Sequence, residues 1–269
     1  MKKTAKAAAI LAAMVLAAGL TACQKKDGAE ASGAAQKSAG TAKAAKPTPV
    51  NEFSRELTED SSGVKILKYN GSAKNVVIPS EIEGLPVKII DEFAFESNKT
   101  MKSVIIPDSV EEIGGGAFWN CTALERVTLG NSVQKIDTFD NYYSDDYCGA
   151  FKNCTALKSI TIPDSVKEIG CSAFWNCTAL KSVALGNSVQ KISYAAFYGC
   201  PALERVTLGN SVQKIDDAAF NGCTALQSLT IPDSLQKIEF PKNGSVFYGT
   251  ELPLATQARL KALGYTDSF

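Results

Sequence analysis

The sequence predicts a repeat solenoid of about seven 23-residue units, built mainly from short parallel β-strands. The first observation is an Ala-Phe pair that recurs with gaps of 23, 33, 23, 23 and 23 residues. The phenylalanines are Phe95, Phe118, Phe151, Phe174, Phe197 and Phe220, and Phe247 follows without its alanine. The second observation is that aliphatic residues, a cysteine and a leucine recur in fixed phase with these phenylalanines. A unit this short cannot bury its own apolar residues, whereas stacked units share one continuous core.

Each unit divides into three sides. Two apolar positions, 14 and 12 residues before the phenylalanine, alternate with polar ones and predict a short strand, as in SITIP. A Pro-Asp or Gly-Asn pair then marks a turn. The segment SVxxI forms the second side and AFxxC the third. At about 4.8 Å per stacked strand, seven coils give a body of about 30 Å.

The motif IPxSVxxIGxxAFxxCxxL resembles the Treponema-pallidum-type, or BspA-like, leucine-rich repeat of bacterial surface proteins, over about residues 64–253. The resemblance implies a right-handed leucine-rich-repeat coil. It also implies adhesion to host or bacterial surface proteins, or other protein–protein recognition, and it brings no catalytic motif. The chain departs from the pattern in its irregular first coil, in an insertion before Phe151 and in a four-residue expansion before Phe247.

The N-terminus has the features of a lipoprotein signal peptide, residues 1–22. Three lysines precede the apolar stretch AAAILAAMVLAAGL, which is short for a transmembrane helix. The following Leu20-Thr21-Ala22-Cys23 is similar to a bacterial lipobox, which implies cleavage before Cys23 and acylation of its thiol. Two or three acyl chains would give stable anchoring in the membrane. An ordinary secretory signal that happens to precede a cysteine is the alternative.

The anchor is expected to continue into a disordered tether, so that residues 23–50 form one segment. The stretch is rich in Ala, Lys, Gly, Ser and Pro and contains no aromatic residue. It cannot bury enough apolar surface to offset its chain entropy. A flexible stretch of this length spans about 30 Å on average, enough to hold a domain off the membrane.

A solenoid needs a cap at each open end. Residues 51–77 match the repeat poorly, contain the turn signals Gly63 and Asn70-Gly71, and predict a β-strand cap before the repeats of residues 78–253. Residues 254–269 predict a helical cap, because LATQARLKAL has helical spacing between Pro253 and Gly264. Leu254, Ala258 and Leu260 are the residues expected to cover the last coil.

Five cysteines sit three residues after a repeat phenylalanine and are predicted to form one column of buried, reduced thiols inside the stack. They are Cys121, Cys154, Cys177, Cys200 and Cys223. Cys148 and Cys171 differ, since each lies three residues before its phenylalanine in consecutive repeats. Stacking would bring their Cα atoms to about 5 Å, which predicts a disulfide between them. No metal site is expected, because the chain has no histidine and no paired CxxC motifs.

Two surfaces are candidates for partner binding. The outward residues of the strands form the first, a mildly polar surface that includes Arg126 and Arg205. The second surface contains the residues that directly follow the repeat phenylalanines from Phe118 to Phe220. We call these residues the flank column. Its members are Trp119, Lys152, Trp175, Tyr198 and Asn221.

The insertion, residues 138–148, belongs to the second surface. Its sequence TFDNYYSDDYC carries Phe139, Tyr142, Tyr143 and Tyr147. Tyrosine-rich loops with small polar residues are typical of recognition surfaces. Two alternatives stay open: these aromatic side chains either contact a partner or merely cover the flank of the solenoid. A calcium site in the acidic part of the loop is a remote third, since the spacing lacks a calcium-loop pattern.

Composition narrows the function classes. The formal net charge is zero, which argues against nucleic-acid binding, and the absence of histidine removes imidazole-based catalysis. The sequence therefore predicts a monomeric, cofactor-free protein, lipid-anchored in the bacterial envelope at the outer membrane or cell surface. Its expected partner is an unknown protein, from the host matrix or a bacterial surface. The alternatives are an inward-facing envelope scaffold and, remotely, an enzyme.

Overall fold

A computed structural model describes residues 45–137, 149–238, 246–266 and 268–269. The predicted signal peptide, Cys23, most of the tether and the insertion lie outside these residues. The chain from residue 45 onward forms a β-solenoid of about seven turns, with mostly short parallel strands and one short helix. This confirms the predicted fold class. No helix among the described residues has the length and apolar character needed to cross a membrane.

The N-terminal part holds a 3-10 turn and five strands. They are η1 (Val50–Glu52), β1 (Phe53–Leu57), β2 (Val64–Tyr69), β3 (Asn75–Val77), β4 (Glu81–Ile82) and β5 (Leu85–Ile90). β1 pairs antiparallel with β2, and β2 pairs parallel with β5, so β2 already belongs to the stack. Tyr69 and Phe53 pack on Phe95, with ring centroids 5.2 and 6.4 Å from it, and so close the core at this end.

Each later coil contributes two strands, which stack into two columns. The first strand column has three-residue strands: β6 (Ser103–Ile105), β8 (Arg126–Thr128), β10 (Ser159–Thr161), β12 (Ser182–Ala184), β14 (Arg205–Thr207) and β16 (Ser228–Thr230). The second strand column has two-residue strands: β7 (Glu112–Ile113), β9 (Lys135–Ile136), β11 (Glu168–Ile169), β13 (Lys191–Ile192), β15 (Lys214–Ile215) and β17 (Lys237–Ile238).

The columns keep the repeat in register. In the second column every isoleucine faces the isoleucine of the neighbouring coil, as Ile169 faces Ile192. In the first column Val183 faces Val206, and both point into the core. Apolar residues are therefore stacked on identical positions along the axis, as the exact phase of the sequence predicts.

The repeat phenylalanines form a continuous spine. Seven rings, from Phe95 to Phe247, stack with centroid distances of 4.8 to 5.6 Å, and all seven are buried. The Phe118 and Phe151 rings remain 5.0 Å apart and nearly parallel, although 33 residues separate them in the sequence. The ten extra residues of that coil therefore do not change the spacing of the spine.

In each coil from that of Phe95 to that of Phe220, two positions adopt left-handed backbone, two residues before and two residues after the phenylalanine. In the coil of Phe174 these are Ser172 (φ 54°) and Asn176 (φ 57°). Glycine and asparagine tolerate this conformation best, which explains why Asn or Gly recurs after the phenylalanines. The sequence pattern contains this signal, but its meaning is visible only once the backbone angles are known.

The C-terminal cap is α1 (Leu254–Ala262), the predicted helix. It ends in a Schellman motif: the Tyr265 N–H donates to the Leu260 carbonyl (3.0 Å) and the Gly264 N–H to the Lys261 carbonyl (2.9 Å). Leu260 is fully buried, as predicted.

The expectation for Leu254 and Ala258 is wrong, since Leu254 is 82% exposed and Ala258 is also exposed. Tyr265 covers the last ring instead. Its ring meets Phe247 edge-on at 5.4 Å. The motif at the end of the helix brings Tyr265 back beside Leu260. The last turn of the helix, and not its first, therefore covers the end of the core.

Candidate partner-binding surface

The first strand column presents an exposed, hydroxyl-rich face. Arg126 and Arg205 are both exposed on it, and the residues between them are mainly Ser and Thr. The two arginines lie three strand spacings apart, about 14 Å, so the fold does not bring them into one cluster. Ile105 is the one large apolar residue that is clearly exposed in the described part of this column, at 38%.

The flank column is half-buried along its whole length. Trp175 and Tyr198 lie with ring centroids 4.4 Å apart, and the ammonium of Lys152 lies 4.9 Å from the centroid of Trp175. Trp119 meets Phe93 edge-on at 6.4 Å. Trp175 and Tyr198 therefore pack on each other along the axis, and Lys152 covers part of the Trp175 ring, while all three side chains stay partly exposed. The column can therefore cover the flank and still offer partly exposed aromatic side chains to a partner.

A strip of amide side chains accompanies the flank column. The Asn176 amide donates to Asn153 Oδ1 (2.9 Å), and the Asn120 amide donates to Ser97 Oγ (3.2 Å). These residues occupy the left-handed position after each phenylalanine. Sequence reasoning missed this strip as a surface, although its members share one phase of the repeat.

The insertion joins the described chain beside the flank column. Its residues Phe139, Tyr142, Tyr143 and Tyr147 lie outside the described residues, as does Cys148. The chain resumes at Gly149, three residues before Lys152. The insertion and the flank column are therefore neighbours along the chain.

The five phase-matched cysteines are fully buried. Each thiol donates to the carbonyl of the phenylalanine in the preceding coil, from Cys121 Sγ to Phe95 O (3.0 Å) through Cys223 Sγ to Phe197 O (3.2 Å). Burial raises the pKa of the Cys121 thiol to about 12 and that of Cys177 well above its usual value. Because thiolate is the reactive form, these thiols are inert packing groups in the folded protein.

No cluster of three or more metal-ligating side chains occurs in the part of the chain that the structure describes. On the second strand column, charged residues pair between coils: Lys135 with Glu112 (3.5 Å) and Lys191 with Glu168 (2.7 Å). Such exposed pairs each contribute less than about 1 kcal/mol. The outer face of the second strand column is therefore an ordinary solvent-exposed, charged surface.

Comparison with known proteins identifies the family. The profile of the BspA-type leucine-rich repeat region matches residues 63–145 and 147–256 in six copies. Among curated protein sequences none matches the chain. The crystal structure of a leucine-rich repeat protein from T. pallidum is similar, with 33% identity and a TM-score of 0.74 over 83% of this chain and 99% of that one.

Two further solved structures share the fold. A leucine-rich repeat protein from Bacteroides ovatus has 24% identity and a TM-score of 0.50, over 76% of this chain and 57% of that one. One from Eubacterium ventriosum has 22% identity and a TM-score of 0.57, over 74% of this chain and 52% of that one. The repeat phase, the stacked phenylalanine spine and these matches agree, and the chain belongs to the BspA-type leucine-rich repeat family, an architecture consistent with protein–protein recognition.

Proposed function

We propose that this chain is a lipid-anchored bacterial envelope protein whose solenoid recognises another protein at the cell surface, without catalysis. The observation that carries the proposal is the flank column, whose partly exposed aromatic side chains neighbour a tyrosine-rich insertion along the chain. Solenoids bind partners through extended surfaces of this kind. The partner is a protein of the host matrix or of a bacterial surface.

The proposed membrane anchor is the acylated thiol of Cys23. Replacing it with serine removes the thiol that would be acylated, so Cys23→Ser is expected to move the protein from the membrane fraction to the soluble fraction. The measurement is detergent phase partition of labelled cells, with Cys121→Ser as the control because that thiol is buried in the core. A Cys23→Ser protein that still partitions with detergent would contradict the anchor.

Partner contact is assigned to the tyrosines of the insertion. The triple change Tyr142→Ala, Tyr143→Ala and Tyr147→Ala is expected to weaken binding about thirtyfold or more, since a single hot-spot tyrosine at an interface is worth about 2 kcal/mol. Binding is measured by biolayer interferometry with residues 45–269 against a panel of matrix and bacterial surface proteins.

Leu254 provides the control, because it is 82% exposed on the C-terminal helix and belongs to neither candidate surface. Leu254→Ala is expected to change the same affinity less than twofold. Equal affinities for the wild type and the triple variant would remove the insertion from the interface.

A disulfide between Cys148 and Cys171 completes the proposal. A Cβ built on Gly149 would lie 2.4 Å from the carbonyl oxygen of Ser172, so the residues that follow the two cysteines are in direct contact. Cys171 itself is half-buried. Protein purified without reductant from an oxidising compartment, which accepts the two electrons, is expected to be lighter by two hydrogen atoms than its reduced form, with the peptides of Cys148 and Cys171 linked in the digest. Finding both peptides alkylated would exclude the bond.

A further inference from the structure

One junction in the solenoid differs from the others, the one between the coils of β8 and β10. Among the described strands of the first column, β6 pairs with β8 and β10 with β12, whereas β8 and β10 do not pair. The column is therefore split into a three-stranded and a four-stranded sheet. The hydrogen bond that remains beside the gap, from the Lys158 N–H to the Glu125 carbonyl, measures 3.3 Å. The equivalent bond of the next junction, from the Lys181 N–H to the Lys158 carbonyl, measures 2.8 Å.

The second strand column is loosened at the same junction. Below it the Gln134 N–H donates to the Glu111 carbonyl (2.8 Å), and above it the Gln190 N–H donates to the Lys167 carbonyl (2.7 Å). Between them, the described residues show no hydrogen bond from the Lys167 N–H to the Gln134 carbonyl. β9 and β11 still run in register here, so alignment is kept while a backbone hydrogen bond is lost.

The edge of the core opens at this place. Val127 is partly exposed, whereas its equivalents Val104 and Val183 are only 1% and 2% exposed. Leu129 is partly exposed in the same way. A cleft of about 250 Å³ lies along the gap, lined by both residues and by Ile160.

The third side of the junction is closed. The Phe118 N–H donates to the Ala150 carbonyl at 2.7 Å, and the rings of Phe118 and Phe151 stack at 5.0 Å. Backbone hydrogen bonding and ring stacking are therefore kept at the phenylalanine spine, whereas the backbone hydrogen bonds at both strand columns are fewer. This is the geometry of a hinge with its pivot at the spine.

We propose that this junction divides the solenoid into two cooperative units, residues 45–137 and 149–269, which move about the Phe118–Phe151 contact. The stability of a repeat protein is approximately a sum of unit terms and nearest-neighbour interface terms, so the weakest interface separates the cooperative blocks. Each block keeps one of the two caps of the solenoid and has the size of a domain. The ten extra residues belong to the coil that joins β8 to β10. The proposal is independent of the binding function.

The buried cysteines provide the test, because they report which coil opens. The full chain under reducing conditions is pulsed with iodoacetamide at increasing urea concentrations, and labelling is read by peptide mass. Cys121 is expected to label with a midpoint at least about 0.5 M urea away from the midpoint shared by Cys177, Cys200 and Cys223. A single midpoint for all four, or a progressive series from one end of the stack, would overturn the division.

A deletion provides the matched control. Removing residues 138–147 leaves Asp137-Cys148-Gly149-Ala150-Phe151, in phase with Gly170-Cys171-Ser172-Ala173-Phe174, and restores a 23-residue interval between Phe118 and Phe151. This variant is expected to label Cys121 and Cys177 at one midpoint. Two midpoints that remain as far apart as in the wild type would overturn the assignment of the hinge to this coil.

Discussion

Phe174→Ala is expected to lower the free energy of unfolding by about 3–5 kcal/mol, a large part of the total stability of a domain of this size. The Phe174 ring is fully buried and stacks on Phe151 at 5.3 Å and on Phe197 at 5.2 Å. Its removal leaves a cavity between two flat rings. Because the rings are held at their spacing by the strand columns, the neighbouring coils cannot collapse to fill it.

Two further variants are compared with Phe174→Ala, and unfolding in urea is monitored by circular dichroism. Phe174→Leu keeps most of the volume and is expected to cost about 1–2 kcal/mol. Trp175→Ala removes a larger side chain at the next residue, but one that is only half-buried, and is expected to cost less than Phe174→Ala. If Phe174→Ala and Trp175→Ala were equally stable, the spine would not be the main apolar contact between coils.

Gly209→Ala is expected to lower the free energy of unfolding by about 1–3 kcal/mol. A Cβ built on Gly209 would lie 2.1 Å from the Gly186 carbonyl oxygen and 2.7 Å from its carbonyl carbon. Both atoms are backbone, so no flexible side chain can move aside, and the two coils would have to separate. The effect is steric, because no left-handed φ is recorded at Gly209.

The matched control for Gly209 is its neighbour Asn210, which is exposed. Asn210→Ala keeps the backbone N–H that donates to Asn187 Oδ1 (3.4 Å), so its cost is expected to stay within about 0.5 kcal/mol. Thermal unfolding monitored by circular dichroism compares the two. A Gly209→Ala protein as stable as Asn210→Ala would show that the coils are not packed backbone to backbone at this turn.

Much of the fold can be predicted from the residue types that recur at 23-residue intervals. The Ala-Phe interval predicts the stacked spine, and the alternation in SITIP predicts the strands of the first column. These features are predictable because each coil repeats the same contacts, so a residue's neighbours along the axis can be identified from the 23-residue interval. The left-handed positions are carried by Asn, Ser, Ala, Gly and, at position 93, Phe, and this mixture conceals their common backbone angle.

The ends and the irregular coil are less predictable. The helical spacing of residues 254–263 places the helix correctly, but periodicity alone does not determine which face meets the last coil. The packing of Tyr265 and Leu260 determines it, and Leu254 is left exposed. The gap between β8 and β10 has no signal in those strands themselves, since RVT and SIT match the pattern as well as their neighbours do. It depends on how a long coil fits between regular ones.

The two functional hypotheses differ in where the solenoid lies. A surface recognition protein and an inward-facing envelope scaffold would share the same acyl anchor, tether and fold. The charge distribution of the expected mature chain fits either, with +3 on residues 24–50 and −6 on residues 51–269. Location relative to the outer surface therefore decides between them.

Protease shaving of intact cells that express the full chain tests the central claim most directly. The solenoid is followed with an antibody, beside one known surface protein and one known periplasmic protein. We expect the solenoid to disappear together with the surface marker, while the periplasmic marker survives. A solenoid that persists after the surface marker has gone would contradict surface recognition and would favour the inward-facing scaffold.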